Sequence, residues 1–321
     1  MIANLPSRLR EGSGKGRSVH ALDPTSPPLT PPASGRGIWA LVLVALLSAC
    51  ATVPARTAAP SSNPPAGMQY LYGSGEAAAL SVQTYRALVT YATGVAKARP
   101  ASSVVLAQGA TLDAPRFAPC GAKPIAAIFD VDETMLLNLG AEYDDARTGK
   151  TFDAARWDRW EKTGVDKVAP VPGAVEAVNA LRAMGVTVVF NSNRDTKNGA
   201  QTAEAIAKAG LGQAIPGDTL FLMGDDAMAS KKDGRRWAIA ARYCVIALGG
   251  DQLGDFSDLF NAGLAVPARR AATLAGPTAK LWGNGWFALP NPVYGSALKG
   301  SFDDVFPIDK RWEDPTPKEA R

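Results

Sequence analysis

Between Pro124 and Gly250 the chain alternates short apolar runs with helical stretches, and few folds accept that alternation. "PIAAIFD" (Pro124 to Asp130), "VTVVFNSN" (Val186 to Asn193), "TLFLMG" (Thr219 to Gly224) and "YCVIALGG" (Tyr243 to Gly250) are unbroken apolar runs of strand length. An unbroken run is what a strand covered on both faces requires. Between them lie "PGAVEAVNALRAMG" (Pro172 to Gly185), with Pro at its start and Gly at its end, and helical stretches over about 197–209 and 233–242. This order predicts a Rossmann-like α/β fold, a parallel sheet with right-handed crossovers flanked by helices. Upstream, residues 76–98 carry helical apolar spacing at Leu80, Tyr85, Leu88 and Val95, and a Pro/Gly-rich connection follows as far as Lys123. Residues 139–170 are polar, Trp-bearing and too irregular for a simple crossover, so they read as a small, mostly helical cap over the strand ends.

The strands end on polar residues. The first gives Asp130 and Asp132, the second Ser192, Asn193 and Arg194, and the fourth Asp251 and Asp255. Ligands of open α/β sheets bind beyond the carboxyl ends of the strands, so these side chains can converge. Asp130 and Asp132 repel each other at neutral pH unless a cation or a shared proton lies between them. A Mg²⁺ held by Asp130 and Asp251 would remove that repulsion and polarise a phosphoryl oxygen. Asp130 then becomes a nucleophile toward phosphorus. Asp132 is placed to protonate the leaving alkoxide and later to deprotonate water, a role that calls for a raised pKa. Ser192 and nearby backbone N–H groups would hold the phosphoryl oxygens, and a lysine of "ASKKDGRR" (Ala229 to Arg236) would balance charge on an aspartyl phosphate.

"FDVDET", "FNSNR", a Lys ahead of "GRR", and "GGDQLGDF" together resemble the four ordered motifs of the haloacid dehalogenase superfamily. "DETMLLN", "VPGAVE", "SNRD" and "LPNPVYG" are similar to the class C nonspecific acid phosphatases, bacterial lipoproteins with 5′-nucleotidase-like activity, over about Tyr70 to Ser296. The resemblance implies hydrolysis of phosphomonoesters, nucleoside monophosphates among them, through an aspartyl phosphate with Mg²⁺. It makes Asp130 the nucleophile, Asp132 the acid/base, and Ser192 the phosphate hydroxyl. The metal ligands would be Asp130, Asp251 and the backbone carbonyl of Asp132, with Asp255 supporting them from behind. Alignment on "GRR" selects Lys232, with Lys231 as the alternative. Asn193 and Arg194 are expected on the substrate. Trp160 is expected to stack on a nucleobase with Tyr294 as the opposing face, although Trp157 and Trp160, three residues apart, equally fit ordinary packing on one helix face. Leu137 and Gln252 stand where family members often have Asp and Asn.

The N-terminus reads as an address. Arg36, the apolar run Ile38 to Leu47 and the sequence Leu-Ser-Ala-Cys ending at Cys50 look like a bacterial lipobox. Residues 1–49 are then a signal region with Cys50 as the lipid acceptor, 50–67 an Ala/Pro/Ser-rich tether, and 68–321 the phosphatase-like domain. Ala51 after the lipid cysteine favours an outer membrane. The single histidine, His20, lies in the segment expected to be removed, which excludes histidine nucleophiles, Ser-His-Asp hydrolysis and His-ligated zinc from the exported protein. From Cys50 onward 29 basic residues face 28 acidic ones, so charge gives no case for a nucleic-acid polymer as partner. Cys120 and Cys244 are compatible with a disulfide or with two buried thiols. Two other functions stay open: a protein phosphatase of the Asp-x-Asp-Glu-Thr type, and a surface lipoprotein without turnover.

Overall fold

A computed structural model describes residues 63–315. The signal region, His20, Cys50 and the tether as far as residue 62 lie outside the described residues. Helix α1 (Ala66–Met68) and a π-turn over Gln69–Gly73 lead into α2 (Gly75–Ala98). Ser74 starts α2 by accepting a 3.0 Å hydrogen bond from the Ala77 N–H, and Arg99, in the left-handed region ahead of Pro100, ends it. Its buried stripe, Ala77, Ser81, Tyr85, Leu88 and Ala92, follows the helical period. The connection beyond it is more ordered than its Pro/Gly content predicts. Strands β1 (Ser102–Leu106) and β2 (Phe117–Pro119) pair antiparallel within it.

The centre of the molecule is β3 (Ile125–Phe129). After it come β4 (Leu136–Leu137), α3 (Leu139–Thr148), α4 (Ala154–Thr163) and β5 (Ala169–Pro170), with β4 and β5 paired beneath the two helices. The chain continues through α5 (Ala174–Ala183), β6 (Thr187–Asp195), α6 (Gly199–Lys208), β7 (Leu220–Met223), α7 (Asp233–Arg242) and β8 (Cys244–Gly250). Helix α8 (Val266–Ala275), strand β9 (Trp286–Ala288) and the short α9 (Phe302–Val305) complete it. The main sheet is parallel throughout, in the order β7-β6-β3-β8-β9.

Successive β3 residues serve different cores, which is why its sequence is apolar without alternation. Ala127 and Phe129 pack with Tyr85, Leu88, Val178 and Leu181 on one side of the sheet. Ala126 and Ile128 pack with Val104, Ile239, Phe260 and Trp286 on the other. From β3 the chain crosses to β6 on one side and later returns as β8 on the other. The strand order therefore reverses at β3, where a crevice opens beyond the carboxyl ends. At the opposite end Cys120 and Cys244 form a disulfide, with Cα atoms 4.5 Å apart beside the Ile125–Cys244 register pair.

Candidate active site

Asp130 leaves β3 with its N–H bonded to the Gly249 carbonyl at 3.0 Å, which ties it to the end of β8. The two glycines there permit this closeness. A Cβ on Gly249 would lie 2.6 Å from the Phe129 ring, and one on Gly250 would lie 2.3 Å from the Asp255 Cβ. As a result, carboxylate oxygens of Asp130, Asp251 and Asp255 all lie within 4.8 Å of one another. Lys232, buried at the start of α7, contacts Asp130 and donates from Nζ to Asp255 Oδ1 at 2.7 Å. Lys231 points to solvent, so geometry separates the two lysines that the sequence leaves paired.

Among the described residues the four carboxylates, counting Asp132, pair with two cations, Lys232 and Arg194, which leaves two negative charges in excess when all four are ionised. Burial, then the neighbouring carboxylates, push Asp130 and Asp251 above the ordinary carboxylate range, while Lys232 pulls Asp130 back. The Lys232 ammonium, although penalised by burial, is held charged by Asp130 and Asp255. Hard oxygen donors clustered with this charge excess suit a divalent cation. Asp255 already uses both oxygens, Oδ1 on Lys232 and Oδ2 on the Gln252 N–H at 2.9 Å, which places it as a brace as well as a candidate ligand.

Asp132 departs from expectation. Burial alone would raise its pKa, but Arg194 and Asn138 outweigh burial and hold it below the ordinary value. Arg194 donates from Nε and Nη2 to Asp132 Oδ1 at 2.9 and 2.8 Å, and Asn138 Nδ2 donates to the same oxygen at 2.9 Å. Asp132 therefore rests as an anion, and the raised pKa expected from its acid role is not found. The Arg194 side chain, expected on the substrate, is 2% exposed and engaged by Asp132 and Asn138. Ser192 is fully buried, with Oγ donating toward Asp132 Oδ2 at 3.4 Å and accepting from the Arg194 N–H. Asn193 faces the loop before Lys232, donating to the Ser230 carbonyl and accepting from Arg235.

A family model described as HAD superfamily, subfamily IIIB (acid phosphatase), matches residues 75–297. The chain belongs to this family. Acid phosphatase 1 of Solanum lycopersicum is 28% identical over 174 residues, covering 52% of this chain and 57% of that protein, little more than half its length. The class C acid phosphatase of Bacillus anthracis with tungstate bound superposes with a TM-score of 0.59 at 22% identity, covering 72% of this chain and 84% of that one. A second structure of the Bacillus anthracis enzyme gives a TM-score of 0.58 at 23% identity over the same shares. Both share the fold.

Within this subfamily IIIB chain, several side chains around the carboxylates carry jobs that the sequence does not announce. Asp251 is oriented by Thr134 Oγ1 at 2.9 Å, by the Gln252 amide at 3.0 Å and by Asn291 Nδ2 at 2.8 Å. Asn291 is itself fixed, since its Oδ1 accepts from the Val293 and Tyr294 N–H groups. "LPNPVYG" is thus a strap across the metal-type carboxylate, and Gln252 is one of its anchors. Glu133 is buried with a positive φ of 54°, a conformation that an L-residue adopts only under constraint. It accepts from Tyr72, Tyr294 and the Asn138 N–H, and burial followed by Asp132 raises its pKa to about 8. The Tyr294 hydroxyl therefore points inward while the residue as a whole remains 36% exposed. Trp160 donates its indole N–H to Asn138 Oδ1 at 3.3 Å, so cap and strap meet at the Asn138–Glu133 pair. A cleft of about 200 Å³ between α3 and α4 has Trp157, Trp160 and Phe152 on its walls.

Proposed function

We propose that this chain is an acid phosphatase: a Mg²⁺-dependent phosphomonoesterase that acts on small phosphate esters, nucleoside monophosphates among them, through an aspartyl phosphate on Asp130. One observation carries the reading. Asp130, Asp251 and Asp255 gather at the strand-order reversal, Lys232 pairs with Asp130 and Asp255, and Asp132 stands beside them with one oxygen not tied to Arg194.

A carboxylate oxygen of Asp130 attacks phosphorus, the bond to the leaving oxygen breaks, and that oxygen takes a proton from Asp132. Water then attacks phosphorus, Asp132 accepts a proton from it, and the Asp130–phosphorus bond breaks to release phosphate. Asp132 Oδ1 is committed to Arg194 and Asn138, which leaves Oδ2 as the oxygen that handles the proton. As the anion found at rest, Asp132 is ready to be the base, and it becomes the acid on accepting a proton. Asp130, Asp251 and the Asp132 backbone carbonyl would hold the Mg²⁺, which when bound neutralises the carboxylates and polarises a phosphoryl oxygen. Lys232 offsets charge on the phosphorylated Asp130. Ser192 would supply the hydroxyl that holds a phosphoryl oxygen. The cap and Tyr294 meet the leaving group, with Trp160 and Tyr294 as the aromatic surfaces for a base.

The sequence around Cys50 supports export and lipid anchoring to a bacterial membrane, with the outer membrane favoured by Ala51. The test of function is a purified chain assayed with and without Mg²⁺ on an aryl phosphate, a nucleoside monophosphate and a phosphopeptide. The reading expects metal-dependent release of phosphate from the first two at the higher rate. Preference for the phosphopeptide would select a protein phosphatase, and no release from any of them would select a surface lipoprotein without turnover.

A further inference from the structure

We infer that Trp160 acts on the reaction through its indole N–H, as a positioning residue that sets Asp132 by way of the Asn138 amide. The inference rests on Asp132 being the proton-handling residue, as proposed above.

The Asn138 side chain is fully buried and every polar end of it is used. Its Nδ2 donates to Asp132 Oδ1 at 2.9 Å and to the two Glu133 oxygens at 3.2 and 3.1 Å. Its Oδ1 accepts from Arg194 Nη2 at 2.8 Å and from Trp160 Nε1 at 3.3 Å. Guanidinium and indole can only donate, and carboxylates can only accept when ionised. Turning the amide over would set NH₂ against two donors and a carbonyl against the ionised Asp132. The pair of donors therefore fixes which way Asn138 faces, and so fixes the third hydrogen bond on Asp132 Oδ1. Glu133 competes for the same NH₂ group, which makes the amide's exact tilt matter to Asp132.

Of the residues in this network, Trp160 is the one that comes from a cap helix, since Arg194 lies on β6 and Asn138 directly precedes α3. Its ring has little freedom. A Cβ on Gly140 would come within 2.8 Å of it, and one on Gly164 within 2.1 Å, so both glycines are seats for the indole. A leaving group that enters beneath the cap and presses on Trp160 thereby acts on the orientation of Asp132 through one buried amide. The cap then contributes to turnover as well as to binding.

Proton transfer from Asp132 matters most when the leaving oxygen is a strong base, as in an alkyl ester, and least when it departs readily as a nitrophenolate. That difference gives a signature that stacking does not share. The full chain and its Trp160→Phe variant, which keeps a ring and loses the N–H, would be compared on glycerol phosphate and p-nitrophenyl phosphate. The expected result is a fall in kcat/KM, which reports the step in which the leaving oxygen departs, about fivefold greater on the alkyl ester than on the aryl ester, the worth of one ordinary hydrogen bond. Gly164→Ala, which displaces the indole without changing it, should shift the same ratio in the same direction, and it keeps the test alive if the Phe variant does not fold. Equal falls in kcat/KM on both esters, or a larger fall on the aryl ester, would overturn the inference. A wild-type chain inactive on both esters would instead overturn the phosphatase reading on which it rests.

Discussion

Removing the Cys120–Cys244 bridge should weaken the fold while sparing the chemistry. The bridge closes a separation of 124 residues, so the loop-closure relation assigns it about 5 kcal/mol at 25 °C through restriction of the unfolded chain. Both cysteines are buried, and replacing each by Ala removes only a sulfur, which keeps packing loss small beside the entropic effect. For a domain of this size each kcal/mol corresponds to about 2–4 °C, so Tm should fall by roughly 10–20 °C. The bridge sits beside Ile125, whereas Asp130 lies beyond the far end of β3, about 16 Å along the strand. Turnover at 25 °C by the folded double variant should therefore stay within about twofold of wild type. Thermal unfolding followed by circular dichroism, with steady-state kinetics on the same samples, reads both quantities. A shift below about 3 °C would refute the loop-closure argument. Loss of turnover in a variant that is still folded would refute the separation of bridge and site.

The remaining expectations concern the site. Lys232→Met leaves buried carboxylates without their ammonium, and urea titration should register a loss of about 3–5 kcal/mol together with a fall in kcat; exposed Lys231→Met should change neither appreciably. Asn291→Ala releases Asp251 from one of three side-chain partners, so the Mg²⁺ concentration giving half-maximal activity should rise about 10–100-fold. Unchanged metal dependence in that variant would remove Asp251 from the metal site. EDTA dialysis should abolish turnover and added Mg²⁺ restore it, and full activity after chelation would contradict a metal-assisted mechanism. Trp160→Ala should raise KM for a nucleoside monophosphate more than for a simple aryl phosphate, by the roughly 1–3 kcal/mol of one stacked base. Equal changes would remove the stacking role.

Strands β3, β6, β7 and β8 are legible in the sequence because each is buried on both faces and so carries an unbroken apolar run. The helices between them are marked by Pro, Gly and a regular apolar period. Strand β9 escapes because three residues hold no period; Trp286–Ala288 becomes a strand only because β8 offers an open edge. The β1–β2 pair is hidden within a connection rich in Pro and Gly, since its register depends on tertiary contact. Within the site, Asp130 and Asp251 are legible because charged residues at the ends of apolar runs are costly without a purpose, whereas the sequence leaves Lys232 paired with Lys231. Asn138, Thr134, Asn291 and Glu133 are not, although "DETMLLN" and "LPNPVYG" stand out as patterns. What an amide or hydroxyl does depends on which buried partner faces it, and those partners lie up to 161 residues away, as Tyr294 does from Glu133. The reversal at Asp132 has the same origin: nothing in the sequence joins it to Arg194, 62 positions on.

The central claim is that Asp130 becomes phosphorylated during turnover. Rapid acid quench of the chain with substrate, followed by mass spectrometry of the peptide spanning Ile128 to Met135, tests it directly. The account predicts a phosphoryl group on Asp130 that is present during turnover, decays when substrate is exhausted, and is absent in Asp130→Asn. A chain that turns over with no phosphorylated peptide, or with the phosphoryl group on another residue, would contradict it.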